Sequence, residues 1–304
     1  MIDELNTRHG LQDHISFSAG PNQMPVAVIE NRHATAEVHL HGAQVTSFQP
    51  RSRRPVLWMS EEAIFNPPKP IRGGIPICWP WFGTPAEHPE RAQHGFARNR
   101  QWRVIDTTAG DDGETILTLG LENDAETLAA WPHAFSLLCR ICVGSSLAVE
   151  LTYRNEGTQP AMVETALHTY FSVGDSSRIR ITGLDGRVYH DQLDGMRVRH
   201  QSGPITIGAE VDRIYVDTED ECLIHDDVWH RIIRIGKTGS RSTVVWNPWV
   251  EKSKRILDFP NEGYKGMVCI ETTNAAGDQR TIEPGASHSL GQTVSVEGNQ
   301  PTSS

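Results

Sequence analysis

Residues 146–157, SLAVELTYRNEG, carry the pattern that decides the fold. In an extended chain, one face of this segment presents the apolar side chains Leu147, Val149, Leu151 and Tyr153. The residues between them are small, polar or charged. An alternation with a period of two is typical of a β-strand that buries one face, and the Asn-Glu-Gly at the end predicts a turn.

The same period recurs along the chain and predicts eight more strands, at 115–121, 135–143, 162–173, 178–181, 231–235, 243–246, 267–273 and 290–296. Gly, Asn, Asp and Pro separate these short segments, and the chain contains 26 Gly and 18 Pro. A helical period is found only at Ala125–Ala130. Because helices do not alternate with the strands, parallel βαβ units are disfavoured. We therefore expect an all-β fold, a large sandwich of antiparallel strands.

The chain has 304 residues and contains no internal repeat or linker that would divide it. We expect one sandwich domain at 30–297, an N-terminal segment at 1–29 and a mobile tail at 298–304. The polar N-terminus lacks the apolar core of a signal peptide, and no run of 18 apolar residues occurs. These features predict a cytoplasmic protein.

The charge of the chain argues against two classes of binding protein. Its formal net charge is −10, whereas nucleic-acid binders and proteins of anionic membranes need a basic surface. An anionic ligand would therefore have to be held by a few local arginines.

Cysteine and histidine spacing gives no metal site. The five cysteines are an odd number in a long chain, so no disulfide framework is expected. Cys139 and Cys142 would lie on opposite faces of a strand. His39 and His41 share a strand face, but no third ligand follows at a spacing typical of zinc. We expect reduced thiols and no metal.

Two glycine-containing loops carry residues that suit a sugar with an anionic arm. Residues 71–83, IRGGIPICWPWFG, combine an arginine, a double glycine and three aromatic rings. Flat rings beside an arginine suit such a ligand, and the alternative is a core loop that packs tryptophans. Residues 93–98, QHGFAR, bring together Gln93, His94 and Arg98, although a solvated loop can have the same composition.

His168 and Glu271 lie at unusual places in two predicted strands. His168 shares a face with Tyr170, and a histidine on a strand is more often structural than catalytic. Glu271 lies on the apolar face of 267–273, where a carboxylate is costly unless it is paired or functional. A salt bridge remains the alternative to a catalytic role for Glu271.

Five motifs then occur in a fixed order: RGGIPICWPWFG at 72–83, QHGFAR at 93–98 followed by Trp102, ALHTYF at 166–171, WNPW at 246–249 and VCIETTNA at 268–275. Together they resemble the glucose-6-phosphate 1-epimerase branch of the aldose 1-epimerase family, the hexose-6-phosphate mutarotases. The resemblance runs from about residue 30 to residue 296. It implies the galactose mutarotase-like β-supersandwich and an isomerase that needs no metal or cofactor.

The resemblance also implies roles for individual residues. His168 and Glu271 match the catalytic pair of the family. The matching substrate-binding residues are Arg72, Gln93, His94, Arg98 and Asp212, of which Asp212 would hold sugar hydroxyls and the two arginines a phosphate. Arginine suits phosphate because its planar fork can donate two parallel hydrogen bonds.

The expected reaction needs one proton removed from the anomeric hydroxyl and one delivered to the ring oxygen. An ionised Glu271 would be the base and a protonated His168 the acid. Two alternatives remain: an aldose 1-epimerase acting on unphosphorylated sugars, and a non-catalytic sugar-binding module. We expect a small phosphorylated sugar as the partner, no nucleic acid or membrane, and a monomer or weak dimer.

Overall fold

The computed structural model describes residues 1–85 and 88–298. In chain order the strands are β1 Ile15–Ala19, β2 Pro25–Glu30, β3 Ala34–His39, β4 Gln44–Pro50, β5 Ile77–Cys78, β6 Arg103–Ala109, β7 Thr115–Glu122, β8 Phe135–Val143, β9 Leu147–Asn155, β10 Ala161–Val163, β11 Thr165–Leu167, β12 Tyr170–Ser172, β13 Ile179–Thr182, β14 Val188–Asp191, β15 Arg197–His200, β16 Val211–Val216, β17 Cys222–Asp226, β18 Arg231–Thr238, β19 Ser242–Asn247, β20 Met267–Asn274, β21 Arg280–Ile282 and β22 Ser287–Glu297.

The helices are few and short. The α-helices are α1 Ile2–His9, α2 Ala125–Ala130 and α3 Trp249–Ser253. Single 3₁₀ turns occur at Pro21–Gln23, Ala97–Asn99, Ser176–Arg178, Gln192–Asp194 and Gly263–Gly266. No helix among the described residues is long and apolar enough to cross a membrane.

The strands form two large antiparallel sheets. One has the order β15-β14-β16-β19-β20-β11-β5, with β12 also paired to β20, and we call it the site sheet. The other has the order β13-β17-β18-β22-β9-β8-β7-β6, and we call it the back sheet. A four-stranded sheet, β1-β2-β3-β4, and the β10–β21 ribbon complete the fold. The predicted all-β antiparallel architecture is therefore confirmed.

Strand β20 shows how the site sheet separates two environments. Val268 and Ile270 point into the main hydrophobic core that the back sheet also lines. Met267 and Cys269 point the other way, into a second apolar cluster. Because successive side chains on a strand alternate between faces, Glu271 is directed to the second side.

Hydrogen bonds between polar side chains also join the two large sheets. Gln292 of β22 accepts a 2.6 Å hydrogen bond from the Thr169 hydroxyl and donates to the Thr272 hydroxyl at 3.0 Å. These buried groups satisfy one another. The back sheet is thus held directly against the segments that carry His168 and Glu271.

Two sequence expectations need correction. The helix α1 was not predicted, because it buries no residue and therefore shows no apolar period. Local charge stabilises it: acidic residues lie in its first turn, basic residues in its last, and Glu4 pairs with Arg8 at 3.0 Å. The predicted strand 162–173 is three short strands, because β10 pairs with β21 whereas β11 and β12 pair with β20.

The predicted helix at Ala125–Ala130 is confirmed as α2, which Asp124 and Thr127 cap at its N-terminus. The expected boundary between residues 29 and 30 falls inside β2, and β2 pairs with β3 along its length. Of the predicted tail, only Gly298 lies within the described residues.

Candidate active site

A polar cleft of about 200 Å³ lies on the face of the site sheet turned away from the back sheet. All seven residues singled out from the sequence line it: Arg72, Gln93, His94, Arg98, His168, Asp212 and Glu271. Sequence analysis assigned no binding role to the other lining residues, which are Phe82, Gly83, Tyr170, Gln192, Val244, Trp246, Lys252 and Ile256.

His168 and Glu271 lie side by side in this cleft. Nε2 of His168 is 3.4 Å from Oε1 of Glu271, and both side chains are almost completely buried. The backbone N–H of His168 donates to the Pro76 carbonyl at 3.0 Å, which fixes the segment after β11. Nδ1 of His168 and Oε2 of Glu271 have no hydrogen-bond partner among the described residues.

Burial shifts the two groups of the pair in opposite directions. It raises the pKa of Glu271 well above its ordinary value, and the negative charge of Asp212 adds to this. Burial also lowers the pKa of His168 to about 3, and the positive charges of Arg98 and Arg72 contribute. In this structure the proton therefore favours the carboxyl group over the imidazole, which is the reverse of the placement expected from the sequence.

His94 offers a neutral donor next to the pair. Its Nδ1 accepts a 3.1 Å hydrogen bond from the Gly83 backbone N–H, so the hydrogen of the neutral ring is on Nε2. Burial, followed by the charge of Arg98, lowers the pKa of His94 well below its usual range and keeps the ring neutral. The ring meets His168 edge to face, with centroids 5.7 Å apart.

The backbone of the 93–98 loop is unusual at two neighbouring residues. His94 has φ of +63°, which is uncommon for a residue other than glycine. Gly95 has φ of +73° and approaches the Trp79 carbonyl so closely that a Cβ would clash. Only glycine fits there. The loop therefore turns sharply and presents the imidazole to the cleft.

Arg72 is held by two partners. Its Nε donates to Oδ1 of Asp258 at 3.1 Å, and its Nη1 donates to the Tyr170 hydroxyl at 3.1 Å. Burial alone would lower the pKa of Arg72, but Tyr170 and Asp258 outweigh it and raise the pKa. Part of the charge of Arg72 is thus compensated within the protein.

Arg98 makes fewer hydrogen bonds within the protein than Arg72 does. Its Nη2 donates to the Gln93 carbonyl at 2.7 Å, and its buried Nε has no partner among the described residues. The Gln93 side chain is exposed at the rim. Of the two predicted phosphate-binding arginines, Arg98 has the more available donors.

Asp212 is part of a polar cluster at the opposite wall of the cleft. It accepts a short hydrogen bond from the amide of Gln192, and the Lys252 ammonium lies 3.5 Å from its Oδ2. Lys252 is also 3.2 Å from Glu210. Burial raises the pKa of Asp212, although Lys252 opposes this. Lys252 follows the WNPW motif by a few residues, which is the signal that could have identified it.

The aromatic residues of 71–83 lie partly in the hydrophobic core and partly in the wall of the cleft. Trp79 is completely buried and packs at 4.5 Å, centroid to centroid, against Phe135 of the core. Phe82 lines the cleft instead. Trp79 is thus a tryptophan packed in the core, which was the alternative to a ligand-binding role. The aromatic walls of the cleft come mainly from Tyr170 and Trp246, which the sequence did not single out as ligand-facing rings.

The pair of histidines on β3 and after it does not form a metal centre with neighbouring residues. Nε2 of His41 is engaged by the Lys69 carbonyl at 2.9 Å, and the ring of His39 packs against Phe65. Within residues 1–85 and 88–298, no group of three His, Cys, Asp or Glu side chains could hold a metal ion. All five cysteines are free thiols.

A supersandwich with a His–Glu pair buried in a polar cleft defines a class of protein, the mutarotase-type sugar isomerases. The chain belongs to the aldose 1-epimerase family, whose model matches residues 25–295. A curated protein of Cenchrus ciliaris, which carries the name glucose-6-phosphate 1-epimerase as a provisional assignment, is 38% identical over 263 residues. This match covers 84% of the chain and 79% of that protein.

Solved structures agree with this membership. A crystal structure of a provisionally assigned mutarotase from Salmonella typhimurium superposes with a TM-score of 0.89 at 31% identity, covering 96% of each chain. A galactose mutarotase related enzyme from Lactobacillus acidophilus has a TM-score of 0.72 at 16% identity, covering 90% of this chain and 97% of that one. The fold is therefore galactose mutarotase-like, as expected.

Proposed function

We propose that this epimerase interconverts the α and β anomers of glucose 6-phosphate, and of related hexose 6-phosphates, by opening and closing the sugar ring. The observation that carries the proposal is the 3.4 Å approach of His168 to Glu271 in a cleft that Arg72 and Arg98 also line. The name given to the Cenchrus ciliaris relative supports the same substrate.

The pair supplies one acid and one base. Ring opening removes the proton of the anomeric hydroxyl and delivers a proton to the ring oxygen, which breaks the bond between C1 and that oxygen. The open aldehyde rotates about C1–C2, and ring closure on the other face reverses both transfers. A positioned acid or base typically contributes about 10²- to 10⁴-fold. The His168–Glu271 pair needs to share only one proton for this chemistry.

Phosphate binding would direct that shared proton. Burial, the charge of Arg98 and the charge of Arg72 lower the pKa of His168, whereas burial and Asp212 raise the pKa of Glu271 and Arg98 opposes this. A phosphate dianion on Arg72 would weaken the positive field at both members of the pair, which lie 3.4 Å apart. This change would raise the pKa of His168 and so help the imidazole to carry the proton that it delivers as the acid.

The remaining polar residues of the cleft fit sugar hydroxyls. The Asp212 carboxylate can accept hydrogen bonds, and His94, whose Nδ1 is engaged by the Gly83 N–H, can donate one from Nε2–H. The exposed Gln93 amide can do either. A monomer or weak dimer in the cytoplasm remains our prediction for the state of the protein.

Anomer exchange of glucose 6-phosphate, followed by NMR at catalytic enzyme concentrations, tests the proposal. We expect rapid exchange and a kcat/KM for glucose 6-phosphate well above that for glucose. One observation favours an alternative, an epimerase of unphosphorylated sugars: Asp258 already compensates part of the charge of Arg72. Equal or faster exchange of free glucose would favour that alternative, and no exchange of either sugar would favour a binding module.

A further inference from the structure

Tyr170 touches both halves of the proposed site. Its hydroxyl accepts the 3.1 Å hydrogen bond from Nη1 of Arg72. Its ring stacks on the imidazole of His168, with centroids 4.9 Å apart and planes inclined by only 12°. One side chain thus links the predicted phosphate contact to the acid/base pair.

The ring of Tyr170 is itself firmly held. Trp58 stacks on it at 5.8 Å with an angle of 19°, and Trp246 meets it edge to face at 6.0 Å. Its backbone pairs with Cys269 on β20, two residues before Glu271. Movement of Tyr170 would therefore disturb a packed cluster and the ladder that carries the glutamate.

Tyr170 is the stacked neighbour of the His168 ring, which the rings of His94 and Trp246 meet edge to face at 5.7 and 5.9 Å. Nδ1 of His168 has no hydrogen-bond partner among the described residues, although acid/base histidines are commonly oriented by such a bond. A stacked aromatic ring can supply the same restraint, because tilting the imidazole away from its nearly parallel alignment would lose the contact between the two faces. Tyr170 occupies that position.

We infer that Tyr170 is a positioning residue for the anomerisation reaction, in which its hydroxyl fixes Arg72 and its ring fixes His168. The inference rests on the proposed function. Since both contacts belong to one rigid side chain, Tyr170 sets the separation between the phosphate contact and the anomeric centre. A 6-phosphate sugar that spans the two points is aligned, whereas a free sugar uses only the ring contact.

Two substitutions separate these contacts. Tyr170→Phe keeps the ring and removes the hydroxyl, so we expect KM for glucose 6-phosphate to rise about 3- to 10-fold, a larger change than in kcat or in the exchange of free glucose. Tyr170→Met keeps most of the bulk and removes the ring. It should lower kcat about 10- to 100-fold for both sugars, because His168 loses its alignment.

Tyr264 provides the matched control. It belongs to the same apolar cluster but lies against Trp249 rather than against His168. Tyr264→Phe and Tyr264→Met should alter thermal stability without the split between KM and kcat. If the Tyr264 variants reproduce that split, or if the Tyr170 variants do not show it, the positioning role is wrong.

Two readouts that need no turnover distinguish this inference from the proposed function. The Tyr170→Phe variant should bind inorganic phosphate about 3- to 10-fold more weakly than the wild type. In histidine-labelled protein, the His168 ring resonances should keep their ring-current shift in Tyr170→Phe and lose it in Tyr170→Met.

Inactivity of the wild type toward glucose 6-phosphate would overturn the proposed function. Unchanged phosphate affinity together with unchanged His168 resonances would overturn the role of Tyr170. If Tyr170→Met fails to fold, the phosphate affinity of Tyr170→Phe still tests whether the hydroxyl fixes Arg72.

Discussion

His168 lies 3.4 Å from Glu271 because the chain on both sides of His168 is paired to the strand of Glu271. Leu167 pairs with Thr272, and Tyr170 pairs with Cys269. The backbone ladder, and not a flexible loop, therefore sets the distance between the two groups. A site built on paired strands holds its geometry more closely than a site built on loops.

The first prediction concerns the pair itself. His168→Ala and Glu271→Gln should each lower the rate of anomer exchange by at least about 100-fold, because each removes one of the two proton-transfer groups. NMR exchange measurements on folded variants give the rates. His225→Gln is the control, since His225 is a half-buried histidine that bonds Thr182 outside the cleft. Near-normal exchange in either variant would remove that residue from the mechanism.

The second prediction concerns the arginines. A hydrogen bond to a charged group contributes roughly 1.5–3 kcal/mol, so Arg98→Ala or Arg72→Ala should lower kcat/KM for glucose 6-phosphate about 10- to 150-fold, and much less for glucose. Lysine at either position should restore only part of the loss, because it lacks the planar fork.

Arg100 offers a control within the same loop, where it pairs with Glu126 at 2.6 Å outside the cleft. Arg100→Ala should leave the ratio of the two substrates unchanged. A ratio that is also unchanged in the Arg72 and Arg98 variants would show that these arginines do not recognise phosphate.

The third prediction follows from the buried carboxyl group. Burial raises the pKa of Glu271, so the folded state binds this proton more tightly than the unfolded state. The protonated Glu271 carboxyl group therefore contributes to stability below its usual pKa of about 4.5. This contribution is lost as pH rises through the pKa of Glu271 in the folded state. Glu271→Gln should unfold at a higher temperature than the wild type at pH 8 and at nearly the same temperature at pH 4.5. Thermal scans of an exposed-site control, Glu37→Gln, should show no such difference, and a Glu271→Gln variant that is less stable at pH 8 would contradict the argument.

The fourth prediction concerns acid stability. Burial, with the charge of His41 contributing, lowers the pKa of His39 from 6.5 to about 4. The stability that depends on neutral His39 is present above pH 6.5 and is lost as pH falls to about 4, an effect of roughly 3 kcal/mol. Denaturant unfolding of His39→Leu should depend less steeply on pH in this range. The exposed His200→Gln should behave as the wild type, and equal slopes in all three proteins would disprove the assignment.

The fifth prediction concerns metals. Exhaustive chelation should leave anomer exchange unchanged, because the proposed proton transfers use only His168 and Glu271. Activity is measured before and after dialysis against EDTA, with zinc added back to one sample. Loss of exchange that zinc restores would require a ligand role for His39 and His41.

Periodicity predicted β8 and β9, in which buried and more exposed residues alternate, but it did not identify β1 and β17, which alternate in the same way. It failed for α1, which has no fully buried residue, although Leu5 packs against the core and Asn6 hydrogen-bonds the backbone of Phe17. It also merged three strands at 162–173, because the change of pairing partner after Val163 leaves no mark on the apolar pattern.

The sequence by itself determined the all-β class, the alternation that turns Glu271 away from the core, and the seven polar residues that line the cleft. The first two depend on local periodicity, whereas the seven residues were matched through the resemblance to the aldose 1-epimerase family. The tertiary structure alone decided that Asp258 compensates Arg72, that Lys252 lies beside Asp212, and that Tyr170 stacks on His168. It also decided the opposite directions in which burial shifts the pKa values of Glu271 and His168. Charge pairing and desolvation depend on distances between residues far apart in the chain, and only the packed sheets set those distances.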